Sequence, residues 1–498
     1  MSLIKITELS FTYPGSFDPV FEDCSFQIDT SWKLGFTGRN GRGKTTFLRL
    51  LMGDYEYRGS ISKSVECDYF PFPVTQPERA AREVLEDVHP ELEEWRLLRE
   101  MAALSLDEAL LGRSFATLSP GEQTKLLLAL LFSHENRFLL IDEPTNHLDL
   151  RGREQVSRYL NSKRGFILVS HDRAFLDGCV DHILSINRTT IEVQRGNFSS
   201  WWENKELRDR FELAENEKLK KEIKRLKETA REKAQWSDRA EGRKKGAAAA
   251  KARGAENTKG WAPLQGAKAK KSMARAKAIE GRQQSAIEEK SKLLKDLEKA
   301  DALKIPQLDY HSERLLLTRD LSIDYGAGPV FEGLGFELRR GERLALRGKN
   351  GCGKSSLLKL ICGEEIPHGG VFERGSGLIL SYVPQDFSSL RGSLSDYARE
   401  SGIDESLFKA ILHKLDVAGP QFEKDMRDFS AGQKKKVLLA RSLCEPAHLH
   451  VWDEPLNYVD VVSRMQIEEL LIRCAPTLLF VEHDRVFGDK IATKVVEM

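Results

Sequence analysis

The stretch Gly38-Arg39-Asn40-Gly41-Arg42-Gly43-Lys44-Thr45 sets three glycines, a lysine and a hydroxyl within eight residues, and Thr46 follows. Glycines at that spacing let several backbone N–H groups converge on phosphate oxygens, while the next helix presents its positive end. In such a loop Lys44 reaches the β- and γ-phosphates of ATP, and the Thr45 hydroxyl suits Mg²⁺. The pattern recurs as Gly348-Lys349-Asn350-Gly351-Cys352-Gly353-Lys354-Ser355, with Ser356 next. A fortuitous glycine-rich turn is the bland alternative, and two copies weigh against it. Phe138-Leu139-Leu140-Ile141-Asp142-Glu143 and Leu449-His450-Val451-Trp452-Asp453-Glu454 form a second constellation. An apolar strand that ends in two adjacent acids is costly unless a cation or water uses them. Asp142 and Asp453 are therefore candidates to hold Mg²⁺, and Glu143 and Glu454 to orient or deprotonate an attacking water. His171 and His483, each just past an apolar run, are candidate γ-phosphate sensors.

An internal repeat must position these residues. Lys44 and Lys354 stand 310 residues apart. Lys44 to Ser119 is 75 residues and Lys354 to Ser430 is 76, whereas both serines precede their strand-end aspartate by 23. Glu143 to His171 is 28 residues, and Glu454 to His483 is 29. Leu34–Thr37 reads as a strand entering the first glycine loop and 46–51 as the helix leaving it. Phe138–Ile141 and Phe166–Val169 read as buried parallel strands. The expectation is an α/β protein with two P-loop nucleotide-binding domains, residues 1–202 and 306–498, joined by a segment at 203–305.

Leu118-Ser119-Pro120-Gly121-Glu122-Gln123 and Phe429-Ser430-Ala431-Gly432-Gln433 each open a helix. Alone, each is an N-cap serine followed by a glycine. Between a P-loop and an acidic strand end, they look like the signature of ATP-binding cassette proteins. That resemblance implies a head-to-tail pairing of cassettes within one monomer, an intramolecular pseudo-dimer. Ser430 and Gly432 would touch the ATP held by Lys44, and Ser119 and Gly121 the ATP held by Lys354. Tyr13 and Tyr325, on the first strand of each half, resemble the family's adenine-stacking aromatic. Gln385 resembles the family's glutamine beside ATP and Mg²⁺, whereas the first half carries Phe72 in that slot. The resemblance therefore implies an ATPase with two non-equivalent sites.

The chain has 498 residues, is 40% hydrophobic and 31% charged, and carries a net charge of +1. No run approaches the ~18 apolar residues of a membrane span, and no signal peptide is visible at the N-terminus. The seven cysteines are scattered and never form CxxC, an arrangement expected of a protein in reducing cytosol. Residues 201–300 hold 28 Lys plus Arg against 17 Asp plus Glu, a net of +11. Leu219, Ile223, Leu226 and Ala230 form a narrow helical seam, and Ile279, Ile287, Leu294 and Leu297 form a second. Both flank a Gly/Ala/Lys-rich stretch around Trp261-Ala262-Pro263, so the expectation is an antiparallel helical hairpin with a basic tip. A solvated spacer is the plainer reading, but it needs neither the surplus charge nor the tryptophan.

Two cassettes with a basic hairpin between them resemble the ABC-F family of ribosome-associated ATPases. The resemblance implies a cytoplasmic protein whose partner is the 70S ribosome, through 23S rRNA and P-site tRNA, with no membrane partner. It also implies that the hairpin enters the tRNA exit site, with Lys244, Lys245, Lys259 and Trp261 contacting RNA. Residues 211–218 and 273–277 are similar to Lsa-type members, which protect ribosomes from lincosamides, streptogramin A and pleuromutilins. A housekeeping translation factor for stalled ribosomes is the rival within the family. The ATPase subunit of a membrane transporter is the rival outside it. DNA-repair relatives insert zinc modules or long coiled coils between the P-loop and the acidic strand, and neither is present.

Overall fold

The computed structural model describes residues 2–15, 19–146, 148–186, 191–211, 214–215, 217–222, 224–225, 228, 305–326, 328–417 and 419–498. The chain divides into two compact units, Met1–Trp201 with Asp301–Met498, and Trp202–Ala300. In the second unit the described residues are helical. Trp202 Nε1 donates to Glu206 Oε1 at 2.8 Å, and Arg210 pairs with Glu206 one turn away at 3.2 Å. Lys244, Lys245, Lys259, Trp261 and the expected hairpin tip lie outside the described residues. Among the described residues no helix is long and apolar enough to cross a membrane.

The first unit holds two lobes of one design. In the first lobe a six-stranded sheet runs in the order Glu66–Phe70, Arg137–Asp142, Phe166–Val169, Lys33–Thr37, His182–Ile186, Ile191–Arg195. All neighbours are parallel except the last pair. Continuous apolar runs fit here because the strands are covered on both faces: Phe166–Val169 is buried at every position. Leu3–Phe11 belongs instead to a three-stranded antiparallel sheet with Phe21–Asp29 and Arg58–Ser62. Helix Lys44–Met52 joins the two sheets, since Phe47, Leu48 and Leu51 share one core with Ile4, Ile6, Leu34 and Phe36.

The second lobe repeats this plan. Its parallel sheet is ordered Leu380–Val383, Leu449–Asp453, Leu478–Val481, Arg343–Arg347, Lys494–Glu497. Arg314–Asp324 pairs with Pro329–Arg339 and His368–Arg374 in the antiparallel layer. Tyr13 and Tyr325, expected on the first strand of each half, fall just beyond the strand ends at Phe11 and Asp324. There the chain already turns, through Gly15 and Gly326 at φ 83° and 92°.

Strand Leu449–Asp453 is buried throughout and carries a histidine and a tryptophan. Trp452 Nε1 donates to Ser442 Oγ at 2.9 Å, and His450 Nδ1 shares that hydroxyl at 3.2 Å. Burial pushes the His450 imidazole from 6.5 down to about 4. Between those values the unfolded chain binds a proton that the folded chain refuses, so this contribution is complete above pH 6.5 and is lost as the pH falls. At pH 5 the loss is about 2 kcal/mol. Urea unfolding of the wild type and His450→Gln at pH 7 and pH 5 should therefore show a smaller acid-dependent loss in the variant. Equal losses would refute the assignment.

Candidate functional site

Both glycine loops end in left-handed glycines, Gly43 at φ 89° and Gly353 at φ 94°, that cap the following helices. A Cβ on Gly43 would lie 2.4 Å from Val20, and one on Gly353 would lie 2.7 Å from Val330, so no larger residue fits. Lys44 is buried, and its Nζ donates to the carbonyls of Gly38 and Arg39 at 2.9 and 3.2 Å. Lys354 makes the matching pair to Gly348 and Lys349 at 2.9 and 2.8 Å. Burial holds the Lys44 ammonium below its usual range. Thr45 Oγ1 donates to Asp142 Oδ2 at 2.8 Å, and the Ser355 hydroxyl opposes the rise that burial imposes on the Asp453 carboxyl. Tyr13 Oη lies 2.6 Å from Thr46 Oγ1 at the mouth of the first loop, and Tyr325 is exposed.

Glu143 and Glu454 sit in the left-handed region at φ 50° and 46°, which is strained for so bulky a residue. Each is held there by its own N–H, which donates to Val169 O at 2.9 Å or Val481 O at 3.0 Å. The backbone therefore turns each glutamate toward the histidine two residues past the neighbouring strand. His171 Nε2 lies 3.2 Å from Glu143 Oε1, and His483 Nε2 lies 3.3 Å from Glu454 Oε1.

The two acids differ in their company. Gln385 Nε2 and Asn457 Nδ2 donate to Glu454 Oε2 at 2.8 and 2.7 Å. Burial works against the Glu454 charge, but His483 and Gln385 outweigh it and hold the carboxyl below its usual range. Glu143 lacks the glutamine. Burial and the adjacent Asp142 push it up to about 8, despite Lys44 and Arg464. In the first lobe Tyr69 donates to Asp142 Oδ2 at 2.9 Å. Phe72 lines an adjoining cavity of about 750 Å³ with Tyr69, Phe115 and Leu127. The matched tyrosines Tyr69 and Tyr382, three residues before the Phe72 and Gln385 slot, are a further signal of the repeat.

Each signature serine caps its helix in a capping box. Ser119 Oγ accepts from Glu122 N, and Ser430 Oγ accepts from Gln433 N, both at 3.3 Å. Ser430 and Gly432 share a cleft of about 410 Å³ with Lys44, Thr45, Asp142, Glu143 and His171. Asn40 Nδ2 crosses to Tyr458 O at 2.6 Å, and Arg39 and Arg42 reach Asp416 at 2.9 and 3.6 Å. At the other pairing Ser119, Lys349 and Asn350 are exposed. No hydrogen bond or ion pair among the described residues joins Ser119 or Gly121 to the Lys354 loop. Sequence reasoning missed Arg39, Arg42 and Asp416, because they occupy slots that vary between the halves.

Three buried side-chain atoms in the sites make no hydrogen bond, namely Glu143 Oε1, Asp453 Oδ1 and His483 Nε2. Such atoms are rare in folded proteins and suit a phosphate, a water or a cation. The hydroxyl–carboxylate pairs Thr45–Asp142 and Ser355–Asp453 supply the hard oxygen donors that Mg²⁺ takes.

The family model for the ABC transporter matches residues 21–146 and 331–457, the two loop-to-acid segments. The ribosome protection protein VmlR of Bacillus subtilis is 28% identical across 97% of this chain and 85% of its own length. The energy-dependent translational throttle protein EttA of Haemophilus influenzae is 25% identical across 96% of this chain and 89% of its own. The chain is an ABC-F member of the ABC transporter family. Its fold also matches the archaeal ribosome recycling factor aABCE1, solved with the stalk protein aP1. The TM-score is 0.63 at 19% identity, covering 98% of this chain and 87% of that one. This ABC-F protein is thus an ATPase in which residues of both lobes line the cleft around Lys44.

Gly432 tests how closely the lobes must approach. A Cβ there would lie 2.4 Å from Asn40 Nδ2 and 2.5 Å from Tyr458 O. Gly432→Ala should cut nucleotide retained per folded molecule at the Lys44 site about tenfold or more. Filter retention of radiolabelled ATP in a Glu143→Gln background measures this, and unchanged retention would contradict the fit.

Proposed function

We propose that this ABC-F ATPase acts on the 70S ribosome in the cytoplasm. In this reading residues 1–202 and 306–498 are the two cassettes, and 203–305 is a basic hairpin that enters the tRNA exit site. The hairpin displaces lincosamide, streptogramin A or pleuromutilin drugs from the peptidyl-transferase centre. The observation that carries the reading is the cleft in which Ser430 and Gly432 line the site of Lys44, because a nucleotide there touches both lobes. The similarity to VmlR supports ribosome protection in particular. Lys244, Lys245, Lys259 and Trp261 are the proposed RNA contacts, by phosphate neutralisation and stacking on 23S rRNA or P-site tRNA.

At each site the buried lysine and the loop N–H groups bind the β- and γ-phosphates. Thr45 with Asp142, and Ser355 with Asp453 and Gln385, would hold Mg²⁺, which offsets phosphate charge when bound. Glu143 and Glu454 orient the attacking water, while His171 and His483 face the γ-phosphate. Tyr13 and Tyr325 stand at the adenine ends. ATP draws the lobes together because it binds both, and hydrolysis removes the shared phosphate and lets the protein leave the ribosome.

Two experiments test this. The Glu143→Gln, Glu454→Gln double variant should bind ATP normally yet remain on ribosomes through gradient sedimentation and stop translation. Rapid dissociation would overturn the release step. Trp261→Ala should reduce protection in a drug-susceptibility panel several-fold while ATPase activity changes by less than about twofold. Wild-type chain that raises resistance to none of the three drug classes would favour a general translation factor, the reading to which the EttA relatives point.

A further inference from the structure

We propose that Lys435 and Glu482 are positioning residues for hydrolysis at the second nucleotide site, forming a buried charged brace that fixes Gln385 and His483 against Glu454. The inference rests on Glu454 being the group that activates water there. It adds two residues that lie outside the glycine loop, the acid pair and the signature serine.

Lys435 lies on helix Ala431–Cys444 and is 1% exposed. Its Nζ donates to Pro384 O at 2.9 Å, the carbonyl immediately before Gln385, whose amide reaches Glu454 at 2.8 Å. The ammonium also faces the Phe387 ring, 6.0 Å from its centre. The lysine thus pins the backbone from which the glutamine extends. Glu482 is 8% exposed, and its carboxylate collects three backbone N–H groups. Oε1 accepts from His483 at 2.8 Å and Asp484 at 3.3 Å, and Oε2 accepts from Leu456 at 3.1 Å. One side chain therefore ties the loop after the acid pair to the turn that carries His483. A carboxylate with three backbone donors is firmly anchored, and charge-assisted bonds are stronger than neutral ones.

The two charges support each other. Burial pushes Lys435 down to about 8, and Glu482 is the carboxylate that most opposes this, ahead of Asp453 and Glu454. Arg464 feels Glu482 as well. The first lobe has no such brace. Thr124 stands where Lys435 does, and its hydroxyl turns back onto its own helix at Pro120 O, 2.9 Å away. Ser170 stands where Glu482 does, and its hydroxyl contacts Asp172 N at 3.2 Å and Thr145 Oγ1 at 3.3 Å. Two neutral hydroxyls thus replace two buried opposite charges, on the side where Phe72 replaces the glutamine and Glu143 Oε1 makes no hydrogen bond. Turnover at the second site depends on the brace, and turnover at the first does not.

The test uses the full chain in a Glu143→Gln background, where the remaining ATPase activity belongs to the second site. Adding Glu454→Gln must abolish that activity. If it does not, the assignment of Glu454 fails before the brace is tested. With that control satisfied, Glu482→Ser and Lys435→Thr, each borrowing the first lobe's residue, should lower kcat about tenfold or more. KM for ATP should stay within about threefold. Glu482→Gln keeps one oxygen acceptor for the backbone donors and should recover part of the loss. The same substitutions in a Glu454→Gln background should lower first-site turnover far less. Unchanged kcat at the second site, or equal loss at both sites, would overturn the proposal.

Discussion

Two carboxylates side by side at the end of a buried strand repel each other and lose solvation, so everything nearby must offset their charge. The structure meets this demand twice. A lysine is drawn into each glycine loop, a hydroxyl acts on each aspartate, and a histidine faces each glutamate. The left-handed backbone of Glu143 and Glu454 belongs to the same solution, because it directs the second acid away from the first. Parallel strands make this possible by ending together, so that loops from distant parts of the sequence converge at one edge.

That shared demand is answered differently in the two lobes. Around Glu454 it is met by the neutral donors Gln385 and Asn457 and, further out, by the opposite charges of Lys435 and Glu482, each bonded to backbone. Around Glu143 it is met first by Lys44 of its own lobe and then by Arg464 of the opposite lobe, whose Ser430 and Gly432 line the cleft. One acid is thus set within its own lobe and the other by both lobes together, a physical basis for unequal sites on a repeated scaffold.

Much of this was legible in the sequence, because backbone-driven features leave fixed spacings. The glycine loops, the strands ending at Asp142 and Asp453, and the capped helices after Ser119 and Ser430 lie where the repeat puts them. Tyr13 and Tyr325 lay beyond the strands to which they were assigned, since strand ends depend on turn geometry rather than on period. The pairing of Arg39 and Arg42 with Asp416 left no local mark, because its partners lie more than 370 residues apart in the chain. Lys435 was equally silent, as the middle one of three lysines in a row reads like a solvated face until the fold buries it.

Behind the clefts, Arg173 of the first lobe is buried against Glu468 and 3.9 Å from Asp484, both of the second lobe, and Lys490 also reaches Glu468. Arg485, which follows His483 as Arg173 follows His171, is instead exposed and 3.4 Å from Glu154. A chain cut between the lobes would leave the Arg173 guanidinium without its counter-charge on one fragment and alter the neutralisation of Glu468 on the other. The halves are therefore not interchangeable: two copies of the first lobe would set Ser157 where Glu468 stands and leave Arg173 with no carboxylate to face.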